Sequence, residues 1–390
     1  MERIIRLLAL SSFLALAALL AIEPSGAGSR RGQAPAPAAP IVKTWKIAPG
    51  LTYTKIVQRQ VPRRTFVLRL DLRKAITLDT TIADAALPSR RPLSDIVRSH
   101  GALAGVNGDY GDGGPGRPVH HFAQDGELLQ STGGLSFAVT RDESAVLFGL
   151  QRLEVTLTDQ TNGRVYRVDR WNNGGPAPGG LAAFPPLGGT LELPPSFACS
   201  VRLLPTGDPV AADPDGVDRD FVVDAVGCSE EPLGRNGGIV VSAAPATDEA
   251  TALLAIAPGT PMRLRWTLGW ANVFDVVGGA PLLLLDGAPT GVCEPACGSQ
   301  PRTGVGVTSS GKILLVVVDG RQPRWSLGPT STEFAQIMAD LGAVTALNLD
   351  GGGSSEMVVE GEVVNRPSDG HERSITNAIL VLPGPDADEP

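Results

Sequence analysis

Residues 312–355 read KILLVVVDGRQPRWSLGPTSTEFAQIMADLGAVTALNLDGGGSS, and this stretch decides how the chain is read. Lys312 to Val318 is almost wholly apolar, the pattern of a strand buried on both faces, and Asp319-Gly320-Arg321 ends it. Thr330-Ser331-Thr332-Glu333 has capping-box spacing, and Phe334, Ile337, Met338 and Leu341 follow at helical spacing until Gly342. Val344 to Leu349 is a second strand. The spacing therefore predicts a strand-helix-strand unit at residues 312–350, long enough for a right-handed parallel crossover. Parallel pairing would bring Asp319 and Asp350 out at one sheet edge, where open α/β sheets bind ligands.

After Asp350 come Gly351, Gly352, Gly353, Ser354 and Ser355. Three glycines give up backbone entropy that an ordinary turn keeps, so close backbone approach or positive φ is expected there. A plain Gly-rich hairpin loop is the competing reading.

Working outward, the 390 residues allow one large domain or two, and the 47 Gly and 33 Pro imply many turns and short strands. A net charge of -8 argues against a nucleic-acid-binding surface, which would need a basic face or stripe. Arg3 and Arg6 precede the apolar run Leu7 to Ala21, and Ser25-Gly26-Ala27 suits signal cleavage, so residues 1–27 are expected to be a signal peptide. The product would be secreted or periplasmic, with no membrane attachment after cleavage. Residues 28–40 read as a Pro/Ala linker, 41–99 as an N-terminal β segment packed on the main domain, 100–383 as that domain and 384–390 as a tail. Within 41–99, Leu93 to His100 reads as a short helix capped by Ser94. The expected class is α+β, mixed β-sheets flanked by helices.

Cys199, Cys228, Cys293 and Cys297 behind a signal peptide favour disulfides. Three connectivities are open, and proximity favours 199 with 228 and 293 with 297. A zinc site is the rival. His120-His121 invites a metal or general-base reading, but adjacent residues in an extended chain face opposite ways. Glu356 either enters the glycine loop's site or faces solvent.

The blocks Pro301 to Val307, Leu315 to Arg321, Asn348 to Ser355, Val363 to Gly370, Glu372-Arg373 and Thr376 to Ala378 together resemble the phosphodiester glycosidase family. Val106 to Tyr110 and Val277 to Leu283 extend the likeness over residues 100–383, densely after 276. The resemblance implies hydrolysis of a sugar-1-phosphate diester, in a cell-wall or extracellular glycan. Asp109, Asp319 and Asp350 are then candidates for nucleophile, base or electrostatic partner of an oxocarbenium-like centre. Arg302, Arg321 and Arg373 would grip phosphate, Gly351, Gly352 and Gly353 would offer an anion nest with Ser354 and Ser355, and Asn107, Asn365 and Asn377 would fix sugar hydroxyls or loops. Each has a duller counterpart as a turn former or a salt-bridge residue. The chain departs from the pattern at Gly111, where an aromatic residue is expected, so the sugar is not transferable. No cofactor is implied and no metal-ligand spacing is seen, although loop carboxylates could take calcium or magnesium. A phosphodiesterase breaking the P–O bond and a non-catalytic sugar-phosphate or glycan-binding module are the alternatives.

Overall fold

The computed structural model describes residues 39–384 apart from 115, 143, 186–197, 208–215, 230–232, 234–236 and 294–296. The expected signal peptide, the linker up to residue 38 and the tail from 385 lie outside the described residues.

The decisive unit forms with one change. Ile313–Val318 is a strand buried along its whole length, Ser331–Asp340 a helix and Ala343–Asn348 a strand. The capping box is present: Glu333 N–H donates to Thr330 Oγ1 and Thr330 N–H to the Glu333 carboxylate. The two strands, however, do not pair with each other. Arg302–Thr308 lies between them, antiparallel to both, with Arg302 opposite Val318 and Gly304 opposite Asn348. The inserted strand fits because its glycines bare the face under the helix. A Cβ on Gly304 would stand 2.8 Å from Phe334 Cε1, and one on Gly306 would stand 2.8 Å from Met338 Cε. Phe334 and Met338 are fully buried on that bare face, each gaining about 1.5–3 kcal/mol over exposure. The outer strands still run the same way, so Asp319 and Asp350 do leave the sheet at one edge, and Arg302 enters it there.

Residues 41–82 feed two sheets. Arg63–Leu70 pairs with Ile313–Val318 and extends the central eight-stranded sheet outward through Leu51–Gln58 to Ile41–Ala48. Ile76–Ile82 pairs instead with Asn377–Pro383, in a second sheet that also holds Ala104–Asn107 and Met357–Val359. The core nearest the site lies between these sheets and a third. Leu68, Leu315 and Leu347 of the first meet Val106 and Ile379 of the second and Phe122 and Phe137 of the third.

The α+β expectation is corrected to a strand-dominated fold. The described residues form four sheets, antiparallel except where Arg170–Trp171 meets Leu181–Phe184, and three short α-helices. Sheets that cover one another face to face leave helices little to shield. The helix Leu93–Ser99 is capped differently from its reading: no side chain caps at its N-cap, Pro92, and the Glu372 carboxylate, from the far end of the chain, accepts the Ser94 N–H at 3.1 Å. Cys199 is bonded to Cys228 and Cys293 to Cys297, the pairing that proximity favours, which removes the zinc alternative.

Candidate active site

Asn side chains knit the sheet edge together. Asn107 donates to the Asp350 carbonyl at 2.8 Å and accepts from Thr303 Oγ1 at 2.7 Å and Glu356 N–H at 3.1 Å. Asp350 N–H returns a bond to the Gly108 carbonyl. Asn348 donates to Tyr110 Oη at 2.9 Å and Ala280 O at 2.8 Å, and Tyr110 Oη itself donates to Ala280 O. Three segments far apart in sequence, 107–110, 278–281 and 348–356, are thereby held at one place. Burial, with Asp350 and Asp109 next in weight, raises the Tyr110 hydroxyl's pKa well above its ordinary range.

The glycine triplet serves close approach. Gly352 has φ of +63°, and a Cβ there would stand 3.0 Å from the Arg321 guanidinium. A Cβ on Gly353 would fall on the Arg373 guanidinium and the Asp369 carboxylate. Two exposed arginines thus lie directly over the loop, Arg373 steadied by Asp369 at 2.6 Å and reaching Ser354 Oγ at 3.4 Å, Arg321 by Gln300 at 3.0 Å. Of the expected anion nest, Gly351 N–H is taken by Asp350 Oδ1 and Gly352 N–H by Pro301 O, and the loop leaves room for cations above it. Such guanidinium pairs suit an oxyanion.

The charged centre is Asp350 with Asp109, both sequence candidates, and His120, which the sequence reading did not choose. The bridge between Gly111 and Pro118 and the bond from Val119 N–H to Tyr110 O fold residues 109–120 back on themselves, setting His120 against Asp109. His120 Nδ1 lies 2.7 Å from Asp109 Oδ1, and His120 N–H donates to Oδ2 at 2.7 Å. Burial opposes charge on His120, but the Asp109 bond and charge outweigh it and raise the pKa above its ordinary value. Gly278 allows the contact, since a Cβ there would fall on His120. Burial pushes Asp350 up to about 6, against its bonds from Ser354 and Gly351, and the Asp109 charge adds to the rise. Asp109 therefore lies close enough for its charge to act on Asp350.

The remaining predicted residues act as struts. Asp319 is buried, and its carboxylate accepts from Trp325 Nε1 at 2.7 Å, Asn365 Nδ2 at 3.0 Å and Arg366 N–H at 3.1 Å, donors enough to occupy both oxygens. Its pKa is still raised, by burial. Arg302 is 1% exposed and donates to Pro329 O, Gly298 O and Asn348 Oδ1, so it fastens the edge from below rather than facing solvent. Asn365 ties Asp319 to Ser355 O and Met357 N–H, and Asn377 accepts Asp109 N–H at 2.7 Å. Ser355 Oγ is buried with no hydrogen-bond partner.

Sequence reasoning raised His120 as a general base without choosing it, gave Tyr110 no role, and left Glu356 open between the site and solvent. The signal for His120 was the turn-rich Gly111 to Pro118 between Asp109 and the His pair. His121 does point away, its Nε2 against Gln151 O and its Nδ1 on Ser131 Oγ, as alternation requires. Glu356 is 1% exposed, and burial, then Glu372, pushes it up to about 8. A cavity of about 540 Å³ between Thr81, His100, Asp125 and Glu127 is lined by none of these candidate residues.

The prophage-derived uncharacterized protein YomE of Bacillus subtilis is 38% identical over 90 residues, 23% of this chain and 14% of that one. The N-acetylglucosamine-1-phosphodiester alpha-N-acetylglucosaminidase of Bos taurus is 38% identical over 68 residues, 17% of this chain and 12% of that one. The matches thus span well under two thirds of either relative. The crystal structure of a putative exported protein from Burkholderia pseudomallei superposes with a TM-score of 0.68 over 88% of this chain and 96% of that one. Its 20% identity shows a shared fold alone. Residues 215–382, which hold the glycine loop, Arg302, Asp319, Asp350 and Arg373, match the phosphodiester glycosidase family, which this part of the chain resembles.

Proposed function

We propose that this protein hydrolyses a glycosyl phosphodiester, cleaving the bond between the anomeric carbon and the phosphate oxygen. The observation that carries the reading is the meeting of Asp350 and the Asp109–His120 pair with two arginines laid over a glycine triplet. Arg321 and Arg373 bind the phosphate, which leaves as a phosphomonoester and needs charge neutralisation more than a proton. Asp350, as its carboxylate, faces the positive charge that develops at the anomeric carbon. His120, oriented through Nδ1 by Asp109, takes a proton from the attacking water. Asp319 and Arg302 position the loops that carry these groups.

The protein acts outside the cytoplasm, secreted or periplasmic, on a cell-wall or extracellular glycan. Two disulfides suit an oxidising compartment, the Burkholderia neighbour is a putative exported protein, and no helix among the described residues is long and apolar enough to cross a membrane.

Hydrolysis of a panel of sugar-1-phosphate diesters in oxygen-18 water tests the proposal. Label in the released sugar is the expected result. Label in the phosphate would make the protein a phosphodiesterase, and tight binding without product would make it a binding module. Either outcome overturns the reading.

A further inference from the structure

Beside the glycine loop, on the far side of Arg321, lies a basic cluster that the proposed chemistry does not use. Arg64, Arg366 and Lys55 surround the Trp325 indole, with Arg64 Cζ at 4.5 Å, Arg366 Cζ at 5.7 Å and Lys55 Nζ at 5.9 Å from the ring centroid. The indole is itself fixed, since its Nε1–H donates to Asp319 at 2.7 Å. None of the three cations forms an ion pair within 4.0 Å of a carboxylate among the described residues, although the chain as a whole carries a charge of -8. Asp319, the carboxylate at the base of the cluster, is buried and engaged by the indole, Asn365 and the Arg366 amide.

The cluster continues directly from the catalytic loops. Gln322, next to Arg321, donates to the Arg366 carbonyl at 3.0 Å, and Asn365, next to Arg366, donates to the Ser355 carbonyl at 3.0 Å. Guanidinium groups held against an aromatic face are pre-ordered. Arg64 Nη1 donates to the Gln58 carbonyl at 3.4 Å and the Arg63 carbonyl at 3.5 Å, which fixes that guanidinium further and leaves its other N–H groups for an oxyanion. Concentrating like charges costs repulsion unless an anion relieves it.

We propose that the Trp325 face is a second anion subsite, taking the next phosphate along a polymer of glycosyl phosphodiester repeats while Arg321 and Arg373 hold the phosphate that leaves. This rests on the phosphodiester reading of the catalytic loops and adds that the substrate is polymeric. Two linked phosphates on two subsites bind as one bivalent ligand, so affinity rises with chain length without any change in the bond being cut.

The test uses the full chain, fluorescent oligomers of a hexose 1-phosphate diester, the corresponding single methyl diester, and inorganic phosphate as competitor. The expected result is about tenfold or greater preference for the oligomer over the single diester, weakening as salt is added. The combined variant Lys55→Gln, Arg64→Gln, Arg366→Gln should lose that preference while its kcat/KM on the single diester stays unchanged. The charge-keeping variant Lys55→Arg, Arg64→Lys, Arg366→Lys should retain most of it, which separates lost charge from lost fold. Equal binding of oligomer and single diester, or a preference that survives the neutral variant, overturns the subsite, as does full displacement of the oligomer by equimolar inorganic phosphate. Oligomer binding that depends on the three cations with no hydrolysis of any diester would overturn the catalytic reading and leave the subsite standing.

Discussion

Replacing Glu356 by Gln should flatten a fall in stability between about pH 4.5 and 8. The carboxyl is 1% exposed, its Oε1 meets no hydrogen-bond donor, and burial followed by Glu372 raises its pKa from 4.5 to about 8. Below 4.5 it is protonated in the folded and unfolded chain alike. As pH rises, the unfolded chain gives up this proton first while the folded chain keeps it, so folding loses free energy until the folded pKa is passed. The whole loss is on the order of 3–5 kcal/mol, a large share of a typical domain's stability. Gln does not titrate. It places an amide donor where a carboxyl stood, at a cost of about 1–3 kcal/mol if the donor finds no partner, but that cost is the same at every pH. The stability difference between variant and wild type should therefore move by about 3–5 kcal/mol in the variant's favour from pH 5 to 9. Urea denaturation followed by circular dichroism across that range reads it directly. Asp350, Asp79 and the other shifted groups titrate in both proteins and cancel in the difference. A difference that stays constant with pH would refute the buried, unpartnered carboxyl.

Asp350→Asn should lower kcat by about 10²–10⁴-fold with the fold intact, and wild-type activity should rise as pH climbs through about 6, where this carboxyl ionises. Activity that falls through that range would instead make Asp350 a proton donor. Gly353→Ala drives a Cβ into Arg373 and Asp369, so KM for a single diester should rise about tenfold, the value of one charged hydrogen bond, in steady-state kinetics. Replacing Cys293 and Cys297 by Ala opens a short ring and should cost about 2 kcal/mol, against about 4 kcal/mol for Cys199 and Cys228, measured by denaturant titration. Because the first bond lies in the loop whose Gly298 carbonyl holds Arg302, its loss should also raise KM, which loss of the second should not.

The helix at 331–340 and its two flanking strands were legible because the cues are local: a capping box, a 3.6-residue apolar stripe and a six-residue apolar run. The inserted strand was visible only in retrospect. Thr303, Val305 and Val307 alternating with Gly304 and Gly306 describe a strand with one bare face, yet nothing in that alternation says which helix covers it. The cap of the helix at 93–99 was misread for the same reason: Glu372 lies 278 residues from Ser94, and no local pattern links them.

By itself, the sequence determined that Asp319, Asp350 and the glycine triplet lie at strand ends, since strand length and turn chemistry are properties of a few neighbouring residues. It also carried the family pattern. The tertiary structure decided what surrounds each charged group. Asp319 has both oxygens taken by donors and Arg302 is sealed beneath the sheet, while His120 is brought onto Asp109 and the two exposed arginines lie on the glycines. Burial and partner count set a carboxylate's role, and both depend on contacts between segments hundreds of residues apart. In the opening stretch the glycines between Asp350 and Ser354 leave room for two guanidinium groups, which no reading of the stretch alone could distinguish from a turn.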